Sequence, residues 1–183
     1  MSAKGPDRAS ASIRTDWETP EPVYAALDAQ FHFDFDAAAS TENARCAEFA
    51  TATGVHTKDG IDPSLDGLTC SWQGRRVWAN PPYGPGLDAW VRKMVEEKNR
   101  ARVIVALLPA NTDTRWFHDL VMPTAWEVWA VRGRINFRGS TSSNTGGSLI
   151  VIWRPHVNRD GGSQMLRSWH WSDSRWWRPG GRG

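Results

Sequence analysis

Asn80-Pro81-Pro82-Tyr83 is the stretch of this sequence whose residue types are best suited to chemistry. Two consecutive prolines fix the backbone, so the Asn80 amide and the Pro81 carbonyl can point at one spot. Two acceptors aimed at one amino group suit the methylation of an sp2 nitrogen. They hold its hydrogens, draw its lone pair out of conjugation and stabilise the positive charge that grows as the methyl arrives. The Tyr83 ring can stack on a planar base. For the tetrapeptide alone the competing reading is an ordinary proline turn with a satisfied Asn.

Such a loop needs a strand to deliver it. Residues 75–79 read as a short strand running into the prolines, and in an open α/β sheet ligands sit beyond the carboxyl ends of the strands. Leu87, Trp90, Val91, Met94 and Val95 fall at helical spacing, with charge expected on the other face. Val103 to Leu108 is a continuous β-branched, apolar run of the buried parallel type. Trp116, Phe117, Leu120 and Val121 repeat the helical spacing, and residues 125–131 and 149–153 read as two more strands joined by the Gly/Ser/Thr/Asn-rich loop 139–147. Upstream, Thr19-Pro20-Glu21 predicts a helix start with a hydroxyl cap, an early proline and a carboxylate at the positive dipole end. Phe31 to Phe35 alternates as a short strand ending at Asp36. The order of elements predicts an α/β sheet, mostly parallel, with an antiparallel hairpin at one edge.

The chain has 183 residues and a net charge of only +2, which conceals an asymmetry. Residues 16–66 hold 11 acids against Arg45 and Lys58, whereas residues 67–183 hold 17 Lys and Arg against 8 acids. Either the surface is simply solvated, or an acidic lobe for a cationic or sugar-bearing small molecule adjoins a basic lobe for a polyanion. No apolar run approaches the roughly 20 residues of a membrane span, and the first residues lack the apolar core of a secretory signal. Cys46 and Cys70 are too few for a disulfide scaffold and read as core residues in a reducing compartment. The five histidines show no ligand spacing, so no metal is expected. Twelve tryptophans make disorder along the whole chain incompatible with the composition.

In order along the chain, Asp16-Trp17-Glu18-Thr19-Pro20, Phe35-Asp36-Ala37-Ala38-Ala39-Ser40, Asn43-Ala44-Arg45-Cys46, Asp66-Gly67-Leu68 with Trp72, and Asn80-Pro81-Pro82-Tyr83-Gly84 are followed by Leu108-Pro109-Ala110, residues 112–117 and residues 132–137. This series resembles the bacteriophage and prophage DNA N-6-adenine methyltransferases, related to the Dam-type adenine methylases. It covers residues 16 to about 154. The resemblance implies a Rossmann-like sheet and S-adenosylmethionine as cofactor. It implies transfer of a methyl group to the exocyclic N6 amino group of adenine in double-stranded DNA, with the base flipped out of the duplex.

The resemblance also distributes roles. Asn80, Pro81, Pro82 and Tyr83 form the catalytic motif. Asp36, with Ala37 and Ala38, meets the methionine and sulfonium end of the cofactor, although the glycine-rich turn of most such enzymes is missing here. Thr19 and Pro20 close over the methionine carboxylate, and Asp66 and Leu68 border the adenine; a turn-forming Asp before Gly is the alternative for Asp66. Arg115, Arg132, Arg134 and Arg138 are the expected DNA contacts, each alternatively a surface ion-pair partner. The same chemistry on RNA adenine or protein glutamine stays open, as does a nucleic-acid-binding module that keeps the fold without catalysis. Residues 1–14 read as an arm, 15–155 as the methyltransferase domain and 156–183 as a Trp/Arg-rich tail. The tail's tryptophans either pack back on the domain or interleave with arginines on nucleic acid. The expected setting is the cytoplasm of a bacterial host, with no membrane and no obligatory protein partner.

Overall fold

A computed structural model describes residues 18–137, 146–156 and 165–172. The first helix, α1 (Glu21–Phe31), buries Val23, Tyr24, Leu27 and Phe31 on one stripe. Its start differs from expectation. Pro20 is the cap residue, no side chain caps the helix, and the Pro20 carbonyl receives the Val23 and Tyr24 N–H groups at 3.0 and 3.2 Å. Prolines at the first turn need no N–H partner, so the Thr19 hydroxyl is not required there. The apolar stripe also carries Phe31 into the helix rather than into a strand; His32 then ends it in the left-handed region at φ 53°.

Among the described residues nine strands follow: β1 (Phe35–Asp36), β2 (Glu48–Thr51), β3 (Gly54–Thr57), β4 (Gly60–Asp62), β5 (Arg76–Ala79), β6 (Val103–Pro109), β7 (Glu127–Val131), β8 (Ser148–Trp153) and β9 (Met165–Trp169). They form one sheet in the order β4-β3-β2-β1-β5-β6-β8-β7-β9. Four of the eight pairings are parallel and four antiparallel, so the sheet is mixed, not mostly parallel as expected. The reason is that β3 and β8 each run against both neighbours. Nor is the β7–β8 hairpin an edge: β8 lies between β6 and β7, and β9 adds in parallel beyond β7. Strand β6 is accordingly parallel to its neighbour on one side only.

Period-two alternation assigns the two faces of the sheet. Ile104, Ala106 and Leu108 of β6 face a cluster with Val91 and Met94 of α2 (Leu87–Glu97) and with Phe117 and Val121. Val103, Val105 and Leu107 face the other cluster, capped by α1. Helices therefore cover both faces, as an α/β sheet buried on both sides requires. Two details depart from the helical spacing read in the sequence. Phe117–Val121 is a π-helical turn continued by the short α3 (Met122–Thr124). In α2, Lys93 and Glu97 are buried beside the apolar stripe rather than on a solvated face.

The tryptophans divide by depth. Trp72, Trp78 and Trp153 are fully buried, Trp129 and Trp169 nearly so, and Trp90, Trp116 and Trp126 are half-buried. Trp169 brings part of the segment after Pro155 into the core: its ring stacks on Trp129 at 6.1 Å. Among the described residues no helix is long and apolar enough to cross a membrane.

Candidate active site

Parallel pairing of β1 with β5 sets Asp36 opposite Trp78, and the Ala37 N–H donates to the Trp78 carbonyl at 2.9 Å. Asn80, two residues past Trp78, thus emerges next to the Asp36 carboxylate at the carboxyl end of the sheet. Glycines at φ 129° (Gly84) and 95° (Gly86) then turn the loop back into α2, a backbone that L side chains rarely adopt. Within the loop Pro81 is buried and Pro82 exposed. The Tyr83 ring meets Phe137 edge-on at 5.9 Å. Burial holds its phenol well above the usual tyrosine range, with Ser148 drawing it the other way.

A small recess opens between these elements. Thr19, Asp36, Ala38 and Asn80 line it together, as do Glu18, Asn43, Arg45 and Trp78. The first four are among the cofactor residues expected from the sequence. Asp36 is 3% exposed; its Oδ1 accepts the Ala38 N–H at 3.3 Å and its Oδ2 the Arg45 N–H at 3.1 Å. Loss of water raises its pKa to about 6, against the lowering effect of those two N–H donors and of the Arg45 charge. The Arg45 guanidinium spans to Glu21 at 2.6 Å, to Glu18 at 3.1 Å and to the Thr19 carbonyl. It thereby straps the segment before α1 over the recess. Tyr24 completes the strap, donating its hydroxyl to the Arg45 carbonyl at 3.1 Å.

The turn at residues 66–68 reaches the site through Gly67. A Cβ on Gly67 would come within 2.0 Å of the Ala37 carbonyl oxygen and 2.6 Å of the Trp90 ring, so only glycine fits this crossing. The Asp66 carboxylate accepts the Leu68 and Thr69 N–H groups at 2.9 and 2.8 Å, the local turn that the sequence left as an alternative. Leu68 is half-buried. Neither residue lines the recess itself.

The arginines lie apart from the recess. Arg115 is fully exposed, 3.9 Å from Asp119, on the segment after β6. Arg132 and Arg134 are exposed on the loop that leaves β7 at the same end of the sheet as Asn80, flanking Gly133 at φ 88°. The Arg134 guanidinium lies beside Gly147, whose carbonyl accepts the Ala110 N–H at 2.9 Å. Arg138 and most of the loop 139–147 lie outside the described residues, as do Asp16, Trp17, Trp176 and Trp177.

Residues 8–168 match the family described as DNA N-6-adenine-methyltransferase (Dam). The chain belongs to this family. A DNA N-6-adenine-methyltransferase of Escherichia phage T1 is 32% identical over 164 residues, covering 78% of this chain and 64% of that protein. The protein of the same name from Haemophilus phage HP1 is 28% identical over 146 residues, 76% of this chain and 78% of its own length. The chain thus spans just under two thirds of the T1 relative.

A methyltransferase of the Dam family needs a place for S-adenosylmethionine, and the recess has the right donor set. The Thr19 hydroxyl is buried without a hydrogen-bond partner among the described residues, as an atom awaiting a ligand would be. Beside it stands the Asp36 carboxylate, suited to a cationic amino group. Among the described residues no cluster of His, Cys, Asp and Glu is arranged to hold a metal ion.

Glu18, Asn43, Arg45 and Trp78 were not foreseen as site residues. One signal for Arg45 was present: apart from Lys58 it is the only cation among 11 acids in residues 16–66.

Proposed function

We propose that this protein transfers a methyl group from S-adenosylmethionine to the N6 amino group of adenine in double-stranded DNA. The observation that carries the reading is the exit of Asn80-Pro81-Pro82-Tyr83 from β5 directly beside the recess formed by Thr19 and Asp36. When bound, S-adenosylmethionine supplies an electrophilic methyl on a sulfonium. Asp36 receives the amino group of its methionine end, Thr19 and Pro20 close over the carboxylate, and Ala37 and Ala38 allow close approach. Asp66 and Leu68 border its adenine through the turn crossing Ala37.

The target base lies inside a duplex, so it has to be flipped out, at a cost of a few kcal/mol. The Asn80 amide and the Pro81 carbonyl accept its amino hydrogens, which leaves the nitrogen lone pair facing the methyl. Pro82 holds the loop rigid, and the Tyr83 ring, braced by Phe137, covers the face of the base. Orientation for direct displacement supplies much of the rate. Arg115, Arg132, Arg134 and Arg138 meet phosphates. The reading places the protein with its DNA in the cytoplasm of a bacterial host, in phage-type DNA modification. Residues 15–155 carry its methyltransferase domain, to which β9 of the following segment adds a strand, and residues 1–14 lie outside the described residues.

Labelled S-adenosylmethionine offered with unmethylated duplex DNA, single-stranded DNA and RNA tests this. Label on adenine N6 of the duplex, abolished in Asn80→Ala while cofactor binding persists, is the expected result. Label only on RNA, or full activity in Asn80→Ala, overturns it.

A further inference from the structure

Lys93 and Glu97 lie outside the recess, yet they form a buried ion pair in α2, with the Lys93 Nζ 2.9 Å from Glu97 Oε1. Their side chains are only 11% and 4% exposed. A buried pair costs desolvation on both sides, so it stabilises little unless its remaining lone pairs are engaged. Here they are. Arg100 approaches the same Oε1 at 3.6 Å, and Oε2 accepts the backbone N–H of Trp72 at 3.2 Å. The Lys93 ammonium also lies over the Trp72 ring, 5.6 Å from its centroid.

Trp72 passes the constraint on. Its indole N–H donates to the Gly67 carbonyl at 3.1 Å, and Gly67 is wedged between the Ala37 carbonyl and Trp90 of the same helix. Helix α2 also follows directly on the catalytic loop, beginning at Leu87 after Gly86. Helix α2 therefore follows the Asn80–Tyr83 loop in the chain and braces the turn at residues 66–68 from its side.

We propose that the Lys93–Glu97 pair is a positioning device for the cofactor side of the site: Glu97, neutralised by Lys93, fixes Trp72 and through it the Asp66–Leu68 turn. The proposal rests on the reading above that this turn borders the cofactor's adenine. Glu97 is a positioning residue, since it touches neither recess nor loop. A charge pair in an otherwise apolar helix face is then explained by what it holds: the carboxylate is the acceptor for a buried backbone N–H in a segment with no regular partner strand.

Two pairs of changes separate the acceptor from the charge. Lys93→Met with Glu97→Gln removes both charges and keeps an oxygen for the Trp72 N–H; Lys93→Met with Glu97→Leu removes the oxygen as well. The first is expected to hold S-adenosylmethionine within about twofold of the parent. The second is expected to weaken it about tenfold, corresponding to one lost hydrogen bond of about 1.4 kcal/mol. In the second variant KM for DNA is expected to stay within twofold. Trp72→Phe, which keeps the backbone N–H to Glu97 but loses the indole bond to Gly67 and part of the buried ring, is expected to weaken the cofactor in the same sense, and it leaves the Lys93–Glu97 pair intact should the double variants misfold. Cofactor affinity is read by calorimetry, and hydrogen exchange of the 67–70 amides in the cofactor-free protein reads the turn directly, with faster exchange expected in the Leu and Phe variants. Unchanged affinity and exchange in Trp72→Phe, or equal loss of cofactor and DNA binding, overturns the proposal. Failure of the parent protein to bind S-adenosylmethionine overturns instead the functional reading, while the exchange data still judge the brace.

Discussion

The backbone N–H of Arg45 donates to Asp36 at 3.1 Å while its guanidinium holds Glu18, Glu21 and the Thr19 carbonyl. One residue thus sets the acid at the end of β1 and ties down the chain segment that covers it. The two halves of the contact have different dependence on sequence. Any residue but proline at position 45 supplies the N–H to Asp36, but only a long planar cation spans the other three acceptors.

With Asp36 proposed to receive the cofactor's amino group, cofactor binding is expected to depend on pH. Burial has raised its pKa to about 6, above the ordinary carboxylate value of 3.8. The folded state therefore binds this proton more tightly than the unfolded chain does. In the cofactor-free protein this group's contribution to stability is full below about pH 4 and falls, by on the order of 3 kcal/mol, as pH rises to about 6. On the proposed reading cofactor binding has the opposite sign, because the cationic amino group would need the ionised carboxylate. Affinity for S-adenosylmethionine is expected to drop as pH falls through 6, and Asp36→Asn to bind weakly with that step removed. Titration calorimetry between pH 5 and 8 checks both; a wild-type profile flat across pH 6 contradicts the assignment.

Arg45→Met removes the strap and leaves the N–H to Asp36 in place. Its charge pairs with two glutamates that are 32% and 61% exposed, so little global stability is expected to go, within about 1 kcal/mol. The loss falls on the Thr19 segment. KM for S-adenosylmethionine is expected to rise roughly tenfold, equivalent to about 1.4 kcal/mol, and Arg45→Lys to recover only part of it. Initial rates at varied cofactor and saturating DNA measure this, and an unchanged KM in Arg45→Met removes the strap from the account.

Elements whose signal is local were readable from sequence, and contacts made between distant segments were not. Leu87, Val91 and Met94 report α2 by spacing alone, and Val103–Leu108 reports β6 by its unbroken apolar run. The prolines after Ala79 mark the loop for the same reason: their effect acts on their own backbone. Buried Lys93 and Glu97 escaped because a charged residue next to an apolar stripe ordinarily faces water, and only Trp72, more than 20 residues upstream, makes burial worthwhile. Arg45 acquires its place only when residues 18–21 and Asp36 meet in space. The insertion of β8 between β6 and β7 and the addition of β9 escaped likewise, since a strand's apolar pattern does not name its neighbour. Among the expected cofactor residues, Thr19, Asp36, Ala38 and Asn80 do meet around one recess, whereas Asp66 turns its carboxylate into its own loop.

Trp169 is expected to be a folding residue. It is 7% exposed, it stacks on Trp129, and β9 joins β7 along five residue pairs ending at Val131 and Trp169. Trp169→Ala opens a cavity beside α1 and is expected to cost about 3–5 kcal/mol, the usual range for a buried Trp. Chemical denaturation followed by circular dichroism measures the loss. DNA affinity per folded molecule is expected to stay as in the parent; a selective loss of DNA binding without loss of stability assigns this tryptophan to nucleic acid instead.

Arg132 and Arg134 flank Gly133 on an exposed turn, at the end of the sheet where Asn80 leaves β5. Phosphate contacts made there release counterions, and each contact contributes about 0.9 to the slope of log affinity against log salt on duplex DNA. Arg132→Ala with Arg134→Ala is therefore expected to lower that slope by about 2 and to weaken binding on all duplex sequences alike. Cofactor affinity is expected to stay unchanged, because neither residue lines the recess. Arg115 provides an internal comparison. Its only ion-pair partner among the described residues is Asp119 at 3.9 Å, and both side chains are open to water, so that pair restrains it little. Arg115→Ala is expected to lower the slope by about 1 if the segment after β6 also reaches the backbone. Fluorescence anisotropy on a labelled duplex from 50 to about 300 mM salt resolves changes of this size. A double variant with the parent's slope places the DNA on another face of the molecule.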